Sequence, residues 1–229
     1  MKRLLEKNLK NALSRSSLNF QIRTRNSETI EWKEQLLNSA AQLSPRLQRI
    51  RKTLLSSKRS SSADRVEAAV ALMVLETGKE LETLLIQRTE RHDDPWSGQI
   101  GLPGGRVKSS DPSTKAALLR EVVEEVGVDL GLDGEELGPL SLGHPMRRTE
   151  MRVQPWVYGL WRKPSVEIGS EVGSAFWVSL QKLPSMQATS HVLIRGEQRS
   201  VECFLIDGSI VWGFTYRVLT ELLEIPGIL

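Results

Sequence analysis

Hydrophobic positions change period several times along the chain. Ala68 to Leu75 is unbroken apolar sequence, and Leu81 to Gln87 follows after a turn through Thr77-Gly78-Lys79-Glu80. Short apolar runs bounded by turn residues predict strands. Val153–Trp161, Ala175–Val178 and Val201–Ile206 read the same way. Ser113 to Val126 carries a helical period, with Asp111 as the expected N-cap, Pro112 at the first position and Gly127 as the stop. Thr215 to Leu223 predicts a closing amphipathic helix. Upstream, Leu36, Ala40, Leu43, Leu47, Ile50 and Leu54 alternate steps of four and three, a helical stripe restarted where Ser44 caps and Pro45 begins a helix. Met1 to Leu13 reads as a short basic amphipathic helix. Ser56 to Ala63 reads as a flexible linker, and glycine-rich Trp96 to Arg106 as loop. Strand and helix signals mix without a repeat, so the fold class is a mixed α/β or α+β body with helices packed on a sheet.

Charge divides this body from what precedes it. Of 229 residues, the first 65 carry a net +10 and the remainder −7, giving the overall +3. Two regions follow: a basic, largely helical extension with its linker over 1–65, and a domain over 66–229. A helix packed against the body is the leading expectation for the extension. A solvated tail, a contact with nucleic acid or membrane, and a transit sequence are its rivals. No apolar stretch exceeds Ala68–Leu75, too short to span a bilayer. The lone Cys203 excludes a disulfide framework and a cysteine-built zinc site, and it suggests a reducing compartment. The cytoplasm is expected ahead of the mitochondrial matrix, because Glu6 and the lysines spoil an organellar transit pattern. A homodimer is left open.

One segment concentrates chemistry: Gly101-Leu-Pro-Gly-Gly105, then Asp111, then Arg120 to Val128 (REVVEEVGV). At about 100° per residue, Glu125 and Glu124 lie about 40° and −60° from Glu121, so three carboxylates share a third of the helix. Leu119, Val122, Val123 and Val126 fall opposite, toward the expected core. Like charges at these spacings are mutually unfavourable, and Arg120 cannot neutralise all three. A divalent cation would: Mg²⁺ takes a compact cage of hard oxygens and could orient a pyrophosphate. Gly104-Gly105 would let the backbone approach phosphates closely. The plainer reading is an acidic, solvated helix face.

The combination of glycine turn, acidic helix and Gly127 resembles the Nudix box. That pattern is a glycine, five residues, a glutamate, seven residues, then Arg-Glu-apolar-x-Glu-Glu-x-Gly-apolar. Arg120 to Val128 matches its second half throughout. Arg120 lies one residue further from Gly105 than in the generic box, and Asp111-Pro112 takes the glutamate's place. Leu84–Thr89 with Gly98 and Pro103–Gly105, Val172–Leu180, and Ile210–Thr215 extend the resemblance toward the coenzyme A pyrophosphatase branch. The departures are Thr89, Leu102 and a stretch from Arg88 to Gly98 that is one residue long, where Arg91 stands in for an arginine.

The resemblance implies an α/β/α sandwich with a mixed sheet, and hydrolysis of a nucleoside diphosphate derivative with Mg²⁺ or Mn²⁺ held by Glu121, Glu124 and Glu125. Of these, Glu124 or Glu125 is expected to be the most exposed to the bridging water. Arg120 would orient a glutamate, and Gly104-Gly105 would shape the phosphate turn. Glu171 is the candidate general base, Arg88 a phosphate ligand and Trp96 a base-stacking residue, each with a plainer surface or packing role beside it. Arg147, Arg148 and Arg152 form a basic cluster suited to an anionic substrate group. Trp212 and Cys203 read as core. The expected partner is a small nucleotide-diphosphate molecule: coenzyme A or its acyl esters first, a nucleotide sugar, ADP-ribose or another nucleotide second. Nucleic acid is not expected. The rival of another class is a binding module working through the basic arm.

Overall fold

The computed structural model describes residues 42–56, 66–90, 97–146, 150–194 and 196–229. The helix expected over Met1–Leu13, the start of the stripe at Leu36 and Ala40, and nearly all of the serine-rich linker lie outside them. So do Arg91, Trp96, Arg147 and Arg148.

The body is built on a mixed sheet. β1 (Ala68–Thr77) and β2 (Glu80–Arg88) form the expected hairpin, and β1 pairs in parallel with β6 (Val153–Leu160), itself antiparallel to β5 (Gly134–Pro139). β7 (Val172–Ser179) pairs with β2. The segment expected to be loop contains two short strands: β3 (Ile100–Gly101) pairs with β2, and β4 (Gly104–Arg106) with the first residues of β1. Each is too short to carry a period, and its conformation comes from the long strand beside it. A second sheet is antiparallel, in the order β10 (Ser209–Trp212), β9 (Glu197–Ile206), β8 (Gln187–Ile194). Cys203 is buried in β9, as expected.

Two cores cover the sheet. The first gathers Leu72, Val74, Leu81, Leu85 and Val157 with Phe204, Val218 and Leu222 from β9 and the closing helix Gly213–Leu223. The helix α1 (Pro45–Ser56) packs into the same core through Leu47, Ile50 and Leu54. Its start is capped as the sequence predicts, with the Leu47 N–H donating to Ser44 Oγ (3.2 Å). Arg46 then ties it to the chain's end, donating to the Gly227 and Ile228 carbonyls (2.7 and 2.8 Å). The compact unit therefore comprises Ala41–Leu229. α1 lies inside it, upstream of the boundary expected at 65/66, because its apolar stripe completes this core.

The second core lies under α2 (Thr114–Val126), where Leu118, Val122 and Val126 pack with Ala69, Ala71, Met73 and Tyr158. Gly127 ends α2 in the left-handed conformation (φ 69°), its N–H donating to the Val123 carbonyl. Three details differ from the sequence reading. Pro112 precedes the cap and is not the first helical residue, because the helix begins at Thr114. Val123 is 47% exposed, on the flank of the helix rather than under it. The N-cap is Ser113, whose Oγ accepts the Ala116 N–H at 3.1 Å; Asp111 has another use. α3 (Leu130–Asp133) follows, and the closing helix is α4. Among the described residues no helix is long and apolar enough to cross a membrane.

Candidate active site

Pairing of β4 with β1 sets Gly104 and Gly105 opposite Val70 and Ala69, beside the acidic face of α2. Gly104 is required there by the backbone, and Gly105 leaves room for the Glu121 side chain. A Cβ on Gly104, whose φ is 138°, would strike the Ala69 carbonyl, and one on Gly105 would come within 2.6 Å of the Glu121 carboxyl. The acidic helix and the glycine turn thus form one surface, as the sequence suggests.

The three glutamates differ in environment. Glu124 is 51% exposed, Glu121 15% and Glu125 only 5% by side chain, so Glu124 alone is the exposed member of the expected pair. The Gly104 N–H donates to Glu125 Oε2 (2.7 Å), and Arg88 Nη1 stands 3.6 Å from Oε1. Burial pushes the Glu125 carboxyl up to about 7; the Gly104 bond and Arg88 pull it down, and Glu121 and Glu171 push it further up.

Arg120 organises the rest. Its Nη1 donates to Glu121 Oε1 (2.6 Å) and Glu124 Oε2 (3.0 Å). Nε and Nη2 hold Asp111 in a two-pronged bond (3.0 and 2.9 Å), and Nη2 also reaches the Arg106 carbonyl (3.2 Å). Asp111 is therefore a clamp on the loop after β4, and the Arg120 fork, with the Lys108 N–H, holds its carboxyl at about 2. The same bond raises the Arg120 guanidinium above its ordinary range.

Pairing of β7 with β2 brings Glu171 beside Arg88, with Oε2 3.8 Å from Nη2. Arg88, Gly104, Gly105, Glu121, Glu124, Glu125 and Glu171 all line one cavity of about 630 Å³. Arg120 stands behind it, and Trp96 lies outside the described residues. Two further contributors escape sequence reasoning. Lys108 reaches Glu121 and Glu124 (3.8 and 3.6 Å), with no periodicity to announce it. Trp212, read as core, lines the cavity with Phe214, Met146 and Met151. Of these, Phe214 packs against the first core. The glutamates of the lining other than Glu171 project from α2, which covers the second.

The donor set suits a hard divalent cation: anionic oxygens on one wall, with Gly105 leaving the space at Glu121 that a Cβ would fill. Among the described residues, no three acidic, histidine or cysteine side chains already converge as a ligand set. Arg120 and Lys108 hold the oxygens instead.

Comparison with known proteins shows the family. Residues 65–196 match the model of the NUDIX domain. The Nudix hydrolase NudL of Photorhabdus laumondii is 28% identical over 172 residues, which cover 73% of this chain and 88% of that protein. A protein of Schizosaccharomyces pombe is 51% identical over 47 residues, 20% of this chain and only 14% of its own length. Among solved structures, a MutT/nudix family protein from Enterococcus faecalis aligns with 90% of this chain and 73% of its own, at 17% identity and a TM-score of 0.44.

Proposed function

The chain belongs to the Nudix family of hydrolases acting on pyrophosphate bonds, and on that premise we propose that it cleaves coenzyme A or an acyl-coenzyme A to 3′,5′-ADP and (acyl-)phosphopantetheine. The observation that carries this choice is the mixed lining of the one cavity. Glu121, Glu124, Glu125, Arg88 and Lys108 share it with Met146, Met151, Trp212 and Phe214. A diphosphate joined to a flexible, partly apolar arm suits both kinds of lining at once. A sugar would set its hydroxyls against thioethers and rings, where their hydrogen bonds go unmet. The Leu84–Thr89 and Ile210–Thr215 segments support the same branch.

In this reading water attacks one phosphorus, the bond to the bridging oxygen breaks, and each half, 3′,5′-ADP and (acyl-)phosphopantetheine, leaves with one newly formed phosphate monoester. Glu121, Glu124 and Glu125 would hold Mg²⁺ or Mn²⁺, which would supply charge neutralisation for the diphosphate and a lowered pKa for water. Arg88 binds a phosphate oxygen at the cavity wall. Gly104 and Gly105 admit the phosphates to the backbone, and Glu171, half-exposed beside Arg88, accepts the proton released by water. Arg120 keeps Glu121 and Glu124 turned toward the cavity. The work is positioning and charge neutralisation, with no covalent nucleophile.

The test is product analysis of the full chain with Mg²⁺ or Mn²⁺, offered coenzyme A, ADP-ribose, a nucleotide sugar and a dinucleoside polyphosphate, with Glu124→Gln in parallel. Release of 3′,5′-ADP and phosphopantetheine, lost in the variant, is expected. Preferential cleavage of ADP-ribose or a nucleotide sugar would discard coenzyme A as substrate.

A further inference from the structure

We propose that Lys108 is a tethered cation that sits on the Glu121–Glu124 pair while no metal ion is bound and passes to the substrate's diphosphate when one is. Metal and diphosphate then bind with positive coupling. This rests on the reading of these glutamates as metal ligands.

The geometry separates Lys108 from its neighbours. Its Nζ lies 3.8 Å from Glu121 Oε1 and 3.6 Å from Glu124 Oε2. Both distances exceed a hydrogen bond, so the ammonium balances two carboxylates as a point charge and is bound to neither. Arg120 contacts the same two glutamates, but its other nitrogens are held by Asp111 and the Arg106 carbonyl. It cannot leave without breaking the clamp. The Lys108 side chain is 55% exposed, and four methylenes carry its charge.

Its backbone, by contrast, is fixed. The Lys108 N–H donates to Asp111 Oδ2 (2.8 Å), and the Asp111 N–H donates back to the Lys108 carbonyl (3.0 Å). Through Asp111 this turn is stapled to Arg120 on α2. A rigid anchor with a swinging charge is what an exchange between two partners needs. There is room for the second position, since Lys108 lines both the main cavity and an adjoining recess of about 310 Å³ that it shares with Arg106.

The consequences have opposite signs. An ammonium within 4 Å of two prospective ligands competes with an incoming cation, so the free protein binds metal less tightly than its carboxylates alone would. Once displaced, the same charge is available to a phosphate oxygen. By linkage, whatever the ion contributes to diphosphate binding through this exchange, the diphosphate returns to ion binding.

The test uses the full chain and Lys108→Met, which keeps most of the stem and removes the charge. Asp111 holds Lys108 by its backbone, so the turn survives the substitution. Mn²⁺ affinity is read by electron paramagnetic resonance of the free ion, and α,β-methylene-ADP, a hydrolysis-resistant diphosphate, is titrated calorimetrically into the Mn²⁺-loaded protein. Two ion pairs at these distances, one to exposed Glu124 and one to the largely covered Glu121, imply about three- to tenfold tighter Mn²⁺ binding in Lys108→Met, with methylene-ADP weakened by a similar factor. Unchanged or weaker Mn²⁺ binding in Lys108→Met, while Glu124→Gln loses the ion, would overturn the exchange and leave the metal reading standing. Wild-type protein that takes up no Mn²⁺ would overturn both.

Discussion

Substituting Glu125 by Gln removes a buried charge while keeping an oxygen to accept the Gly104 N–H. Glu125 is buried, with 4% of the whole residue exposed. Burial lifts its carboxyl from the ordinary 4.5 to about 7. Below pH 4.5 the group is protonated in both the folded and the unfolded chain, and its contribution is constant. Between 4.5 and 7 the unfolded chain has lost the proton that the folded protein still holds, so stability falls as pH rises. Above 7 both are ionised and the loss is complete. At about 1.4 kcal/mol per pH unit the interval is worth roughly 3 kcal/mol. Urea denaturation of wild type and Glu125→Gln in EDTA, at steps from pH 4 to 8.5, reads this group with its coupling to Arg88, Glu121 and Glu171, while groups remote from it cancel in the difference. The variant should gain about 3 kcal/mol over wild type between pH 4.5 and 7.5. A difference constant to within 0.5 kcal/mol or so, or one changing in the opposite direction, would refute the burial argument.

Ile50→Ala in α1 should cost about 2–5 kcal/mol in chemical denaturation, because Ile50 is fully buried in the first core; a cost below about 0.5 kcal/mol would detach α1 from the body. Gly104→Ala should destabilise strongly or prevent folding, since its Cβ meets β1 backbone at φ 138°. Gly105→Ala meets only the movable Glu121 side chain, so its melting temperature should stay within a few degrees of wild type while hydrolysis falls at least tenfold. Arg120→Lys should likewise lose activity at least tenfold, because an ammonium cannot reproduce the fork on Asp111 together with the bonds to Glu121 and Glu124.

Local signals were the legible part of the fold. Ser44-Pro45 and Gly127 punctuate helices through their own backbone preferences, and the apolar run at Ala68 announces a strand buried on both faces. β5 and β8 were not legible. Gly134–Pro139 has one large apolar residue besides its proline, and Gln187–Ile194 groups its large apolar residues at one end without alternation; they are strands because β6 and β9 run beside them. Of the site, the helical period placed Glu121, Glu124 and Glu125 on one face. It could not tell that the Gly104 turn closes over Glu125 and leaves Glu124 open. Asp111 has the chemistry of a cap, and only the approach of Arg120, nine residues on, makes it a clamp. Lys108 and Trp212 reach the cavity through loop and sheet contacts that leave no periodic trace.

The most direct test of the account is phosphorus NMR of the products formed from coenzyme A in ¹⁸O-labelled water with Mn²⁺ or Mg²⁺, for wild type and Glu124→Gln. Wild type should give 3′,5′-ADP and phosphopantetheine, one of the two newly formed phosphate monoesters bearing a single ¹⁸O from water and the 3′-phosphate unlabelled, and the variant neither product. Labelled products formed equally well by Glu124→Gln, or an intact diphosphate with wild type, would contradict it.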